Sequence, residues 1–269
     1  MTQDPNIEGT NVTLNVKNGQ IGETTGELIL KKDALSNPAT LTDSDKIAIA
    51  SAERQDFTFV TDPADVDVTT QINIALRRGV NVKLTGDLDV TAKSHVFLNS
   101  ADSNFNVVRT TSENQDIRLK TGGSITNGAA SNTIALSGHN AILEASGGSI
   151  GTEANPLTGT LTGTWTARAA GGDVNIASPT ADMNVDFVYA LDWARLTAKA
   201  GSIIDARNDS ERNILADAIN LNGFSGIGSL ANPFDIHLSS TDGVVNATSS
   251  NGGIFLNAAA GDLRGGTIS

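Results

Sequence analysis

Along this chain, short runs alternate apolar with polar residues at a period of two. IRLKT (Ile117–Thr121), AILEAS (Ala141–Ser146) and RLTAKA (Arg195–Ala200) show the pattern clearly. NVTLNV (Asn11–Val16), ELIL (Glu27–Leu30), KIAIA (Lys46–Ala50), DFTFV (Asp56–Val60), NVKL (Asn81–Leu84), HVFL (His95–Leu98), DVNIA (Asp173–Ala177), AINLN (Ala218–Asn222) and DIHL (Asp235–Leu238) repeat it. Runs of this length, bounded by Gly, Asn, Asp or Ser, read as β-strands with one face inward. One segment departs from the pattern. In DVTTQINIALRRG (Asp67–Gly79), Thr69 and Thr70 offer a cap and Ile72 and Leu76 stand four apart. Arg77 and Arg78 close its last turn before Gly79. These are helix start and stop signals, and they predict one short decorating helix.

Many short strands allow a sandwich, a barrel or a solenoid. Local self-similarity selects the solenoid. The motif G-x-I-G-x-x-x-N-P-(L/F) occurs as GSIGTEANPL (Gly148–Leu157) and, nearly matched, as SGIGSLANPF (Ser225–Phe234). Its central isoleucines are Ile150 and Ile227. A degenerate third copy, NGQIGETTGEL, spans Asn18–Leu28. The tripeptide GSI follows a strand at Gly123–Ile125, Gly148–Ile150 and Gly201–Ile203, and GIFLNAAAGDL (Gly253–Leu263) keeps the same grammar. A single coil cannot bury its own inner face; stacked coils ~4.8 Å apart bury a continuous column. Corners then call for Gly, Asn and Asp. At ~20–25 residues per coil the chain holds about a dozen coils, a rod ~50–60 Å long. The expected fold class is therefore all-β: a right-handed parallel β-helix (β-solenoid) with one short helix.

Composition supports a thin, repeated core. There are 27 glycines and 4% aromatics, and the apolar supply is mostly Ile, Val, Leu and Ala. Six prolines and no Gly/Ser linker give no domain boundary, so residues 1–269 read as a single solenoid segment. Lys31–Asp45 is the expected irregular loop. The net charge of −12 lacks the basic patches that nucleic acid and anionic membranes require. With no cysteine, disulfides and thiolate chemistry are excluded. No apolar run is long enough for a membrane span. The polar start MTQDPNIEGT has no signal-peptide pattern, so the chain reads either as cytoplasmic or as an internal piece of a longer exported protein, the repeat-like text favouring the piece.

The chemical candidates are few. Asp182 and Asp186 are an even number apart and would share a strand face, with Asp192 and Arg195 nearby: the one carboxylate set suited to acid/base work on a polysaccharide. Only Phe187, Tyr189 and Trp193 are large rings close to it. His95, His139 and His237 share no metal-ligand spacing and read as surface residues, His237 facing outward from DIHL. DARNDSERN (Asp205–Asn213) has acidic spacing but lacks the central Gly and closing Glu of a calcium loop. Trp165, alone among small residues, reads as core filling. No nucleotide, metalloprotease or hydrolase motif occurs. No cofactor, metal or catalytic residue is expected.

The stretch GGSITNGAASNTIALSGHNAILEASGGSIGTEANPLTGTLTGTWTARAAGGDVNIAS (Gly122–Ser178) resembles the repeats of filamentous-haemagglutinin-type giant bacterial adhesins. RLTAKAGSIIDARND, INLNGFSGIGSLANPF and TTQINIALRRGVNVKLTGDLDV are similar to the same material, about three quarters of the chain from Thr69 onward. The resemblance implies a right-handed parallel β-helix carried across the envelope, often by two-partner secretion. No N-terminal secretion domain of that system is visible in the sequence. The expected function is a non-catalytic structural or adhesive rod of the cell surface or extracellular space. Its expected partners are copies of itself or adjoining repeats, with host or surface carbohydrate as a further class, and neither nucleic acid nor membrane insertion. The alternative is a carbohydrate-active β-helix enzyme, or a passive carbohydrate-binding module.

Overall fold

A computed structural model describes residues 5–31, 71–130 and 133–269. Its strands stack into two long parallel sheets that face each other across one core. The twelve-stranded sheet runs through β1 (Ile7–Gly9), β5 (Val80–Leu84), β7 (Val96–Ser100), β9 (Ile117–Thr121), β12 (Ala141–Ala145), β14 (Thr164–Ala169), β16 (Met183–Ala190), β19 (Ile214–Ala216), β22 (Phe234–Leu238) and β24 (Leu256–Ala260). The eleven-stranded sheet runs through β2 (Val12–Val16), β6 (Asp87–Ala92), β8 (Phe105–Ser112), β11 (Leu136–Gly138), β13 (Leu157–Leu161), β15 (Val174–Ser178), β17 (Trp193–Ala198), β20 (Ala218–Gly223), β23 (Val245–Ser249) and β25 (Gly265–Ile268). Short side strands β10 (Ile125–Asn127), β18 (Ser202–Asp205) and β21 (Gly226–Ile227) branch from these paths. The chain alternates between the sheets, so each pair of passes is one coil of a parallel β-solenoid.

The period-two pattern explains the core. In β9, Ile117 and Leu119 point inward, and each stacks on its counterpart in the coils above and below. One such column passes through Leu98, Leu119, Leu143, Ala167, Val188, Ile214 and Ile236, all buried. Side-chain oxygens at the corners accept N–H groups from the following coil. Asn11 does so for Asp87, Ser149 for Asp173, Asp173 for Trp193 and Asn246 for Thr267. Backbone groups that leave the ladders at a turn are thereby satisfied.

Two expectations change. From β5 to β24 the described chain makes eight turns, nine coils counting the last pair β24 and β25, with one further coil in β1 and β2, rather than a dozen. The reason lies in the first stacking step, where Ile7 pairs with Val82 and Asn6 Oδ1 accepts the Asn81 N–H, a sequence separation of 75. A step of ~20–25 is usual for such coils. Between the two, β3 (Glu23–Lys31) and β4 (Gln71–Arg78) form an antiparallel sheet of their own. The predicted helix over Asp67–Gly79 is thus a correction: its described part is strand β4, and no α-helix occurs among the described residues. Ile72 and Leu76 are four apart, a spacing that also fits period two, and Ile74 between them completes the alternation. The β-branched isoleucines favour the extended form. KIAIA, DFTFV and nearly all of the expected loop Lys31–Asp45 lie outside the described residues.

Candidate functional site

The carboxylates picked out by spacing are not assembled into one site. Asp182 sits at a corner before β16, where its Oδ1 accepts the N–H of Ser202 at 2.7 Å. Asp186 lies within β16 at a bulge, the extra residue between the pairs Trp165–Val185 and Thr166–Phe187. Its Oδ2 accepts from Thr166 Oγ1 at 3.1 Å, and Arg207 Nε lies 3.9 Å from its Oδ1. Arg195 belongs to β17 on the other sheet. It holds Asp173 at 2.7 Å and Glu153 at 3.5 Å, and its guanidinium stacks 4.5 Å over the Trp193 ring. Asp192 is exposed at the turn before β17. Asp182, Asp186 and Arg195 each tie neighbouring coils together, and the two sheets keep Asp186 and Arg195 on opposite faces.

The histidines are similarly dispersed. His139 is exposed and pairs through Nδ1 with Thr162 Oγ1 at 2.9 Å. His237 is half-buried on the outer face of β22 and accepts from Arg212 at 2.9 Å. His95 is half-buried like His237 and stacks on Phe97 with 5.0 Å between ring centroids. In Asp205–Asn213, Asp205 Oδ1 accepts from the Arg207 N–H and from Asn213 Nδ2, while Arg207 pairs with Glu211 at 3.3 Å. The acids there close turns and ion pairs. Among the described residues no group of three or more His, Asp or Glu is placed to hold a metal ion. Trp165 is 1% exposed and fills the core, as its setting suggested.

Two features of the outer face were not anticipated. Glu144, itself buried, is clamped by Lys120 at 3.1 Å and Arg168 at 3.4 Å, and Arg168 lies 5.7 Å from the Tyr189 ring. Arg118 beside it donates to Asn99 at 2.5 Å, and burial pulls its guanidinium down to about 10 against the partial support of Glu144. Alternating outward residues signal this ladder only once the coil period is known. Unpaired strand edges lie at the ends. Among the described residues, β1, β2, β24 and β25 each pair on one side only. The inward Ile7, Leu14, Val16, Ile254 and Leu256 are only partly buried there.

The fold defines a β-solenoid repeat protein. Comparison with known protein families, with curated proteins and with solved structures finds no match.

Proposed function

We propose that this chain is a non-catalytic structural or adhesive rod of the cell surface or extracellular space, akin to the repeats of giant bacterial adhesins. The observation that carries the reading is the set of strand edges, β1 and β2 at one end of the stack and β24 and β25 at the other, that pair on one side only among the described residues. Such edges accept another strand. The occupant is an adjoining repeat or another copy of the chain, and head-to-tail contacts of this kind need not close into a ring. The winding is read as right-handed, because parallel strands joined by a crossover in one sheet take that hand almost without exception. An experimental density map with left-handed coils would overturn this.

Sedimentation at rising protein concentration tests the association. The net charge of −12 opposes contact at low ionic strength, and salt screens it. Oligomers that grow with concentration and with salt are expected; a strict monomer at high concentration and high salt overturns self-association. Turnover of an acidic or neutral polysaccharide, abolished by Asp186→Ala, would replace the rod reading with the enzyme. Antibody labelling of intact cells tests the location.

A further inference from the structure

The rod has a larger repeat than the coil. β8, β16 and β25 each begin an equivalent stretch, with Val107, Val185 and Gly265 in matching places. Each lies on the strand below with one extra residue. Val108 is extra between the pairs Leu88–Val107 and Asp89–Arg109, and Asp186 is extra in β16. In β25 the extra residue falls between Gly265 and Ile268, which pair with Val245 and Ala247. The two complete copies then branch identically. Ile125 pairs with Phe105 and Leu136 with Thr110; Ile203 pairs with Met183 and Ile214 with Val188. Every residue of the second set stands the same number of places after its counterpart in the first. Asn104 Oδ1 accepts the Ser124 N–H as Asp182 Oδ1 accepts that of Ser202. Asn155 Nδ2 donates to the carbonyl of Asn127 as Asn232 Nδ2 does to that of Asp205.

The repeat does not contain a whole number of turns. β8 lies in the eleven-stranded sheet, β16 in the twelve-stranded sheet and β25 in the eleven-stranded sheet again. From β8 three turns lead through β11 and β13 to β15, and a further half turn leads to β16. Likewise β9 and β12 in one sheet correspond to β17 and β20 in the other, and β13 to β22. Each unit therefore advances three and a half turns and swaps the faces of the rod.

We infer that the upper edges of β6–β7, β14–β15 and β23–β24 are three copies of one interaction surface, whose partner is the opening of another unit of this design, turned by half a revolution. On the first two copies the partner is present: β8 and β9 on β6 and β7, and β16 and β17 on β14 and β15. On the third, β25 covers β23, while β24 pairs only with β22 among the described residues. The strand that fits β24 is the counterpart of β9 and β17. Both carry an outward arginine between two inward apolar residues: Ile117, Arg118 and Leu119 in one, Ala194, Arg195 and Leu196 in the other. The inference holds whether or not the rod is adhesive.

Deleting residues 105–182 tests it, because this places β16–β17 directly on β6–β7. Thr91 pairs with Thr111, whose counterpart is Tyr189, and the chain has no cysteine of its own. In the deleted chain carrying T91C and Y189C, a short thiol cross-linker should join most molecules. In the full-length chain with the same substitutions it should join none, since the two residues lie in different sheets. The deleted chain should also unfold in one cooperative transition. A second chain lacking residues 105–173 loses three whole turns and the bulged opening strand; it should melt at least ~5 °C lower. Failure of the first chain to fold or to cross-link overturns the inference, as does an equal or higher melting temperature for the second.

Discussion

Ile150 and Ile227 occupy the same position on opposite sides of the rod. Both are fully buried. The N–H of Ile150 donates to the Asp173 carbonyl and its own carbonyl accepts from Asn175; Ile227 makes the same pair of bonds with Gly253 and Phe255. The glycine that follows each, Gly151 or Gly228, has φ of +62° or +59°. A Cβ there would lie 2.2 Å from the Asn175 carbonyl oxygen or 2.4 Å from that of Phe255, so the motif needs glycine for conformation and for space. Ile21, between the Phe97 N–H and the His95 carbonyl, is a third copy, with Gly22 at φ +79°.

This equivalence predicts equal costs. Ile150→Ala and Ile227→Ala should each destabilise the protein by ~2–5 kcal/mol, the usual range for truncating a buried isoleucine. Urea denaturation of the two variants measures both. Midpoints unchanged from the parent in either case would remove that residue from the core.

Trp165 and Gly159 should be coupled. A Cβ on Gly159 would lie 2.4 Å from the Trp165 ring, so the missing side chain makes room for the indole. In the next unit the corresponding residues are Ile236 and Val245, both buried, a medium pair in place of a very large and a very small one. Gly159→Ile alone should be destabilising through overpacking, and Trp165→Val alone through a cavity, by ~3 kcal/mol. The double variant should recover at least ~1 kcal/mol of the summed loss. Strict additivity in thermal or urea unfolding would show that the two do not share one space.

Much of this architecture is legible in the sequence. IRLKT, AILEA and VNIAS are strands because alternation, length and bounding glycines agree, and the GSI and N-P motifs fall at corners. Three features escape that reading for physical reasons. Ile72 and Leu76 are four apart, which satisfies the helical and the extended period alike, and only the observed pairing with β3 decides. Asp182 and Asp186 look like a catalytic pair because spacing does not reveal a bulge. The structure gives Asp182 the corner role that Asn104 plays in the preceding unit, a role that asks only for an acceptor. The interval from Ile150 to Ile227 is visible in the sequence, but its meaning as three and a half turns depends on coils whose lengths vary.

Asp235 should make stability fall with pH over a limited range. It is buried, its N–H donates to Asn213 Oδ1, and its Oδ1 accepts from Asn257 Nδ2 at 2.5 Å. Burial raises its carboxyl above the ordinary value, with the nearby Asp205 and Asp209 adding to the effect and Asn257 and Arg207 opposing it. The folded state therefore holds this proton more tightly than the unfolded chain, and the stability so gained is lost as pH rises from about 4 through the folded value. Asp235→Asn should remove that slope. Urea denaturation of both proteins at several pH values gives the comparison, and parallel curves would show that Asp235 does not titrate as described.

At two positions one unit leaves a buried polar atom unbonded where the other does not. Thr110 is fully buried and points into the core, and its hydroxyl has no hydrogen-bond partner. Its counterpart in the second unit is Val188, the same shape without the hydroxyl. Asp205 is 3% exposed; one carboxylate oxygen is bonded twice, but the other, Oδ2, is buried with no hydrogen-bond partner. Its counterpart is Asn127, whose Nδ2 donates to the Pro156 carbonyl at 2.8 Å while its Oδ1 keeps the turn bond to the Ala129 N–H. Pro233 occupies the place of Pro156 in the second unit, so an amide at position 205 would find the same acceptor. A buried polar atom left unbonded costs ~1–3 kcal/mol, and replacing it by a matched group returns part of that. Thr110→Val and Asp205→Asn should each raise the urea midpoint without changing the slope, and together they should add, since they lie in different units. The reverse substitution, Asn127→Asp, should lower it. If Asp205→Asn destabilises the chain while Asn127→Asp is neutral, the two positions are not equivalent, and Oδ2 of Asp205 has a partner of its own.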